Sequence, residues 1–108
     1  MNQLDYDKYN KKYYFITVFH EFDENYGISD ARCWGFYEDW NDAHEVVENN
    51  ITDIWETIYW YAVIEEYTQG ISTCTLNRWF YKYDRDLNKY IEIKEPEYIK
   101  HFYSFAIG

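Results

Sequence analysis

Two arginines in this sequence stand next to aromatic residues, in an arrangement that could bind a phosphorylated ligand. Arg32 lies two positions before Trp34, and Arg78 lies directly before Trp79. A guanidinium group can bind a phosphate while a neighbouring ring stacks on a base. The predicted nucleotide site, completed by two tyrosines from a neighbouring strand, consists of Arg32, Trp34, Tyr59, Tyr61, Arg78 and Trp79. The alternative is that both arginines lie on strand edges and pair with local acids.

The middle of the chain is acidic and contains no basic residue. All ten Lys and Arg residues lie outside the stretch from Cys33 to Asn77, and the formal net charge of the chain is −10. A negative field of this kind disfavours direct binding to a nucleic-acid backbone and favours a basic protein partner. The alternative binding surface, which would mimic phosphates, consists of Asp39, Asp42, Glu45, Glu48, Asp53 and Glu56. The simpler interpretation is a solvated acidic surface.

Two further groups of residues resemble a metal site and a catalytic thiol, but the sequence does not favour either function. His44 and Glu48 are four residues apart, a helical spacing that can hold a metal, yet no third ligand stands at a matching position. Cys33 with His20 or His44 could form a thiol nucleophile and its base. Because Cys33 lies within a predicted strand, we expect it to be a packed thiol.

The pair Glu65–Glu66 follows an apolar run, where carboxylates can act as acid and base. Adjacent strand residues point to opposite faces, so the two would not share one site. We interpret the pair as a strand terminus with one exposed acid. The sequence contains no glycine-rich phosphate loop, Ser-His-Asp arrangement or CxxC pair. We therefore predict a binding protein without enzyme activity and without a cofactor.

The secondary-structure pattern predicts an α+β fold. Aromatic and β-branched runs predict strands, with Ile58–Ile64 in the centre of the sheet, and a final hairpin turns at Asp84–Asn88. A loop is expected at Asp23–Asp30, and Pro96 would open a helical turn that ends at Lys100. The other predicted strands are Tyr13–Phe19, Arg32–Tyr37, Leu76–Tyr83, Lys89–Lys94 and an edge strand at Phe102–Ile107.

One principal helix is predicted after the second strand. Apolar residues recur there at spacings of three and four, from Trp40 to Ile54. Asp39 is a suitable N-cap, Asn49–Asn50 marks an end or a kink, and Thr52–Glu56 could begin a short second turn. The expected architecture is a mixed or antiparallel sheet of about five strands, with this helix packed on one face.

The chain of 108 residues has the length of one domain. We expect a disordered tail at residues 1–12 and a single α+β domain at residues 13–108. No run is long enough to span a bilayer, and the polar N-terminus does not resemble a secretory signal. Cys33 and Cys74 are expected to be reduced, and the protein to be cytoplasmic, without membrane association.

The sequence resembles a group of small uncharacterised proteins encoded by phages and prophages of low-GC Gram-positive bacteria. The residues that carry the resemblance cover most of the chain: Arg32–Phe36, Ala43, Asn49–Asn50, Asp53–Glu56, Tyr61–Glu66, Gly70–Ile71, Arg78–Phe80 and Glu95–Glu97 through His101–Phe102. The resemblance implies a role in an infected bacterial host but no particular mechanism. By analogy, such proteins often counter bacterial defence.

Two binding functions follow as hypotheses. In the first, the protein sequesters a nucleotide immune signal, of cyclic or ADP-ribose type, at the arginine and aromatic residues. We expect that site to lie at a homo-oligomer interface, because a small monomer offers little concavity. In the second, the acidic stripe inhibits a basic host protein that handles nucleic acid. A structural or regulatory phage protein without a defence role is a third possibility.

Overall fold

The structure, a computed structural model, describes residues 11–23, 27–29, 31–51, 59–69 and 75–96. Five of the seven strands in these residues form one antiparallel sheet, with the spatial order β4-β1-β5-β6-β7. These five strands are β1 (Lys12–Phe19), β4 (Arg32–Tyr37), β5 (Tyr61–Thr68), β6 (Asn77–Asp84) and β7 (Lys89–Ile93). A single helix, α1 (Trp40–Glu48), packs on one face of the sheet. The predicted α+β class is confirmed.

The sheet grows outward from two long central strands. β1 and β5 pair along their whole length, from Lys12 opposite Thr68 to Phe19 opposite Tyr61. β4 covers the other edge of β1, with a register shift between Ile16 and Thr17. The central position of the Ile58–Ile64 run is therefore confirmed, although the strand begins three residues later than predicted and extends to Thr68.

Helix α1 begins and ends where its capping residues predict. The Asp39 side chain accepts a hydrogen bond from the Asn41 N–H, so it caps the first turn as expected. At the other end, Asn49 is the C-cap and Asn50 adopts a left-handed conformation with φ 50°. Ala43 and Val47 are fully buried against the sheet, as the spacing predicts. The predicted apolar face does not continue to Ile51, which lies beyond the end of the helix and is 59% exposed.

The side chains of the sheet form two layers, one on the side that α1 covers and one on the opposite side. On the helix side, α1 packs over a core formed by Ile16, Val18, Ala62, Ile64, Tyr81, Tyr83 and Tyr90. On the opposite side, Phe19, Val63 and Phe80 form a second buried cluster. Because successive residues of a strand point to opposite faces, every strand contributes alternately to both layers. This alternation decides which of the predicted site residues can meet.

Some sequence-based boundaries differ from the structure. The expected loop at Asp23–Asp30 is wrong, because Glu21–Asp23 (β2) and Gly27–Ser29 (β3) form a small two-stranded sheet. The final hairpin turns as predicted, where the Asp84 side chain accepts hydrogen bonds from two backbone N–H groups. Three predicted elements lie wholly or mainly outside the described residues: the turn at Thr52–Glu56, the turn from Pro96 to Lys100 and the strand at Phe102–Ile107.

Candidate functional site

The six residues of the predicted nucleotide site fall on both sides of the sheet. Trp34, Tyr59 and Trp79 pack against the core on the helix side. Tyr61 belongs to the opposite side, where its ring stacks on that of Phe19 at 5.3 Å. The two arginines also point to different sides and lie on strands separated by β1 and β5. The six side chains therefore do not converge on one point within a single chain.

Arg32 forms a small exposed group with two of these aromatic residues. Its guanidinium carbon lies 5.7 Å from the centre of the Trp34 ring. Tyr59 meets the same indole edge-on, with ring centroids 6.1 Å apart. Arg32 is exposed on the edge strand β4, so a ligand can approach its guanidinium from solvent. This group is the part of the predicted nucleotide site that the fold assembles.

Arg78 is instead part of a buried polar network. Its Nε lies 3.0 Å from Glu65 Oε2, and its Nη1 lies 3.6 Å from Glu95 Oε1. The Glu65 side chain is fully buried, and the Arg78 side chain is only 10% exposed. Thr75 donates a further hydrogen bond to the same Glu65 oxygen, at 3.0 Å, and its hydroxyl oxygen lies 3.3 Å from the Tyr67 hydroxyl. We call these five residues the Glu65 cluster.

The prediction that Glu65–Glu66 ends the strand with an exposed acid is wrong. Both residues lie inside β5 and both are buried, with relative exposures of 0% and 6%. The physical reason is that β1 and β6 pair with β5 on both sides at this point and supply hydrogen-bond donors for each carboxylate. The expectation that the two side chains point to opposite faces agrees with the structure.

Glu66 lies on the helix side and is held by neutral donors. Tyr14 donates its hydroxyl to Oε2 at 3.0 Å, and Asn77 donates its side-chain amide to Oε1 at 2.9 Å. These three residues share one row of the sheet, because Tyr14 pairs with Glu66 and Glu66 with Asn77. No Lys or Arg among the described residues forms an ion pair with Glu66. Its buried charge is therefore not compensated by a cation within the described part of the chain.

A series of aromatic rings begins at Tyr14, whose hydroxyl is bonded to this carboxylate. The Trp79 ring lies 6.3 Å from the Tyr14 ring and 5.5 Å from the Trp40 ring, tilted with respect to both. Trp40, Trp79 and Tyr14 are each partly exposed, and Asn77 is exposed. Burial, followed by the hydrogen bond to Glu66 and its charge, raises the pKa of Tyr14 above 10.0. We call Tyr14, Trp40, Glu66, Asn77 and Trp79 the Glu66 cluster.

The acidic stripe of α1 is partly free and partly engaged. Asp42 and Glu45 are exposed on the outer surface of the helix, whereas Asp39 is used as the N-cap. Glu48 Oε2 lies 2.6 Å from His44 Nε2. The remaining two members of the predicted stripe, Asp53 and Glu56, lie outside the described residues. The stripe within α1 therefore offers two unengaged carboxylates and one that is paired with a histidine.

His44 packs into the fold and is not simply solvated. Its ring stacks on Trp40 with centroids 4.6 Å apart, and its Nδ1 lies 2.7 Å from the Tyr81 hydroxyl. Burial raises the pKa of Tyr81 above its ordinary value, and the charges of Glu92 and Glu48 add to this effect. Tyr81 thus stays protonated at neutral pH. No group of three metal-ligating residues exists among the residues that the structure describes.

Cys33 does not form a thiol and histidine pair with His44, the arrangement that the sequence left only as a possibility. It pairs in register with Thr17 and therefore faces the side opposite the helix, whereas His44 packs on the helix side. The expectation of a packed thiol is wrong, because Cys33 is exposed on the edge strand. Desolvation is the main cause that raises the pKa of its thiol, which lowers the fraction of reactive thiolate.

The Glu66 cluster was not predicted from the sequence. Two signals could have pointed to it: a pair of acids directly after an apolar run, and Asn77–Arg78 at the start of the next strand. In an antiparallel hairpin these two pairs can stand opposite each other. The length of the intervening loop left the register open, so the sequence could not say which acid faces the arginine.

Comparisons with protein-family models, with curated proteins and with solved structures each gave no match for this chain. In the described residues, no helix has the length and apolar character required to cross a bilayer. The functional proposals below therefore rest on the geometry of the described residues, on their charge and on the sequence resemblance.

Proposed function

We propose that this protein is a non-catalytic inhibitor that binds a basic, nucleic-acid-handling protein through the acidic outer surface of α1. The observation that carries the proposal is the exposure of Asp42 and Glu45 on this surface. Neither forms an ion pair with another described residue. Their charges are therefore available to a partner.

The spacing of the acids suits a basic groove. Asp42, Glu45 and Glu48 recur every three residues, so they span roughly 9 Å along the helix axis. The stretch from Cys33 to Asn77 contains no Lys or Arg that would interrupt the negative field. A row of carboxylates on a rigid helix can occupy the positions that phosphates take in a basic groove.

The biological setting of this proposal comes from the sequence resemblance. Among phage proteins, an acidic inhibitor of a nucleic-acid-handling host protein would act against bacterial defence, in the cytoplasm of the infected cell. This setting names the class of partner to look for: a host protein with an exposed, positively charged groove. Such a groove binds nucleic acid through phosphate contacts, and its affinity for a phosphate mimic depends on salt in the same way.

The test compares two variants of equal net charge. Asp42→Asn with Glu45→Gln removes two charges from α1, and Glu21→Gln with Asp86→Asn removes two from exposed positions elsewhere. Each tagged protein is incubated at low salt with a lysate of a low-GC Gram-positive host, and the retained proteins are identified by mass spectrometry. The expected result is a nucleic-acid-handling protein retained by the wild type and by the control variant, but not by the α1 variant.

The salt dependence of binding completes this test. Retention should fall steeply as the ionic strength rises, because exposed charges are screened within about 10 Å at 0.1 M salt. The proposal fails if no basic protein is retained at low salt. It also fails if the α1 variant and the control variant lose the partner equally, because then net charge alone, without the position of the acids, accounts for binding.

A second candidate function is sequestration of a nucleotide immune signal, and the Arg32 group favours it. A guanidinium 5.7 Å from an indole ring, with a tyrosine at the edge of that indole, can hold a phosphate and present a stacking surface. Arg78 is nearly buried and paired with Glu65, so this candidate uses Arg32, and a second copy of the chain would complete the site. This candidate therefore includes a homo-oligomer.

A thermal-shift screen against signalling nucleotides tests this second candidate. A ligand that binds only the native state raises the melting temperature by mass action. Arg32→Ala should abolish the shift, whereas Arg85→Ala should keep it. Arg85 is a matched control, because its guanidinium lies 5.6 Å from the Trp60 ring, in the same kind of contact elsewhere. Equal shifts in both variants, or no shift with any nucleotide, would rule the candidate out.

A further inference from the structure

The carboxylate of Glu66 is the least expected group in the described part of the protein. It is only 6% exposed, and its two hydrogen-bond donors, Tyr14 and Asn77, are both neutral. A buried charge is expensive unless a counter-charge accompanies its hydrogen bonds. Its neighbour in sequence, Glu65, has such a counter-charge in Arg78. Among the described residues, Glu66 is therefore a buried carboxylate without a counter-charge.

The carboxylate of Glu66 has acceptor positions for a group that donates two parallel N–H bonds. Each carboxylate oxygen can accept two hydrogen bonds, and each accepts one from a described side chain: Oε2 from Tyr14 and Oε1 from Asn77. One acceptor position therefore remains on each of the two oxygens. A guanidinium group donates two parallel N–H bonds with a spacing that matches the two oxygens of a carboxylate. An ammonium group has no comparable fork.

The rings of the Glu66 cluster suit the same ligand. Tyr14 and Trp79 lie 6.3 Å apart, Trp40 follows at 5.5 Å from Trp79, and all three rings are partly exposed. Planar guanidinium groups stack on aromatic faces and are more weakly hydrated than ammonium groups, so their transfer to such a site is easier. Asn77 is exposed at one end of the row, which leaves the cluster open to solvent there.

We propose that the Glu66 cluster binds the guanidinium group of an arginine side chain that the partner protein supplies. This inference rests on the proposed function, because a partner with a basic, nucleic-acid-binding groove carries arginines there. The α1 acids attract the partner from a distance, and the Glu66 cluster holds one of its arginines in a fixed orientation. Charge complementarity assigns the occupant: a buried carboxylate without a counter-charge among the described residues, with Tyr14, Trp79 and Trp40 in series on the same side of the sheet, fits an arginine better than any neutral side chain.

The test uses N-acetyl-arginine amide as a probe on the full chain. Binding is followed in the indole N–H region of a two-dimensional NMR spectrum, where the five Trp residues give separate signals. Trp40→Phe and Trp79→Phe assign the two signals that belong to the cluster. We expect saturable shifts of these two signals, with a millimolar dissociation constant, because a single side chain buries little surface.

The comparison of probes keeps the test independent of any variant. N-acetyl-citrulline amide has nearly the same shape as the arginine probe but no charge, and it should produce no saturable shift. N-acetyl-lysine amide should bind more weakly than the arginine probe, because it lacks the fork. Equal shifts from the arginine and citrulline probes, or no saturable shift with the arginine probe, would overturn the inference even if every variant failed to fold.

The substitution Glu66→Gln then locates the site. It should weaken binding of the arginine probe by roughly tenfold or more, because it removes the charge that strengthens both hydrogen bonds. Unchanged binding in this variant would overturn the inference. Glu21→Gln with Asp86→Asn is the control and should keep the probe affinity within about twofold, because its two charges are exposed and screened.

The two proposals can fail separately. If the α1 variant loses the partner while the arginine probe does not bind the wild type, the proposed function stands and the arginine site is wrong. If the probe binds at Glu66 while the α1 variant keeps the partner, the arginine site stands and the role of the helix is wrong.

Discussion

Glu65 and Glu66 are neighbours in the sequence and lie on opposite sides of the same strand, in two different polar environments. On the side opposite the helix, Glu65 is fully buried and paired with Arg78, at 3.0 Å. On the helix side, Glu66 is nearly as buried, and its carboxylate accepts hydrogen bonds from just two side chains among the described residues, Tyr14 and Asn77. The partners on β6, Arg78 and Asn77, are also neighbours in the sequence.

The two glutamates differ in their counter-charge: Glu65 has one in Arg78, and Glu66 has none among the described residues. The Glu65 cluster contains both signs of charge, so it can stabilise the folded state only as long as both Glu65 and Arg78 are present. The Glu66 cluster contains one sign of charge and several partly exposed rings, which is the composition of a binding surface. Four substitution experiments test this difference between the two sides of the sheet.

The largest effect is expected from Arg78→Met. The change keeps an apolar stem but leaves the Glu65 carboxylate buried without its cation, which should lower the free energy of unfolding by about 3–5 kcal/mol. Urea denaturation at neutral pH measures it. Lys82→Met removes the same charge from an exposed position of the same strand and should change stability by about 0.5 kcal/mol or less. Similar losses in both variants would show that the Glu65 cluster is not a special site.

Glu65→Gln and Glu66→Gln form the direct comparison. Glu65→Gln should cost about 3 kcal/mol, because it removes the carboxylate charge that lies 3.0 Å from the nearly buried Arg78 guanidinium. Glu66→Gln should change stability by about 1 kcal/mol or less, because the gain from removing an uncompensated charge offsets weaker hydrogen bonds. Denaturation of both variants under identical conditions measures the difference. Equal losses would remove the distinction between the two clusters.

Stability above pH 10 should report on the helix side of the sheet. Tyr14 and Tyr81 both face this side, and both have a pKa above their ordinary value of 10.0. Below pH 10 their contribution to stability is complete. As the pH rises further, the unfolded state loses these protons first, so the free energy of unfolding falls until the folded tyrosines also ionise.

Denaturation midpoints measured from pH 8 upward should therefore decline above pH 10, and Tyr14→Phe or Tyr81→Phe should reduce the decline. Tyr81 should contribute the larger part, because it is fully buried whereas Tyr14 is partly exposed, and burial is the first cause of both shifts. A decline of the same steepness in both Phe variants would contradict the assignment to these two residues.

The smallest effect is expected from Thr17→Val, on the side of Glu65. The Thr17 hydroxyl is buried and has no hydrogen-bond partner in the described residues. Replacing it with a methyl group of similar shape removes an unsatisfied polar atom and should raise the free energy of unfolding by about 1 kcal/mol. Thermal denaturation measures the gain. A loss of stability would mean that the hydroxyl has a partner, such as a buried water molecule.

Much of the fold could be predicted from local patterns. The strand Tyr13–Phe19, the helix with its cap at Asp39 and the turn at Asp84–Asn88 all follow from side-chain chemistry that acts over a few residues. The limits of β5 could not be predicted in this way. Two consecutive acids normally end a strand, and only the donors on β1 and β6 make it possible for Glu65 and Glu66 to continue it inside the sheet.

The candidate sites were less accessible to sequence reasoning than the fold. Arg32 and Arg78 have similar neighbours in the sequence, but the sheet places them three strands apart and on opposite sides. Strand order and face depend on the pairing of distant segments, which a local pattern does not report. The acidic surface of α1 could be predicted, because a helix presents residues at spacings of three and four on one side whatever it packs against.

Local sequence patterns alone predict that successive side chains of β5 point to opposite faces and that the helix is amphipathic. They also show the excess of negative charge in the middle of the chain. Tertiary structure alone decided which of two adjacent glutamates received a cation. The register of β5 and β6 sets Glu65 opposite Arg78 and Glu66 opposite Asn77. A slip of one residue would place Arg78 beside Glu66 instead, so the charge left for a partner is a consequence of strand pairing, which depends on the whole sheet.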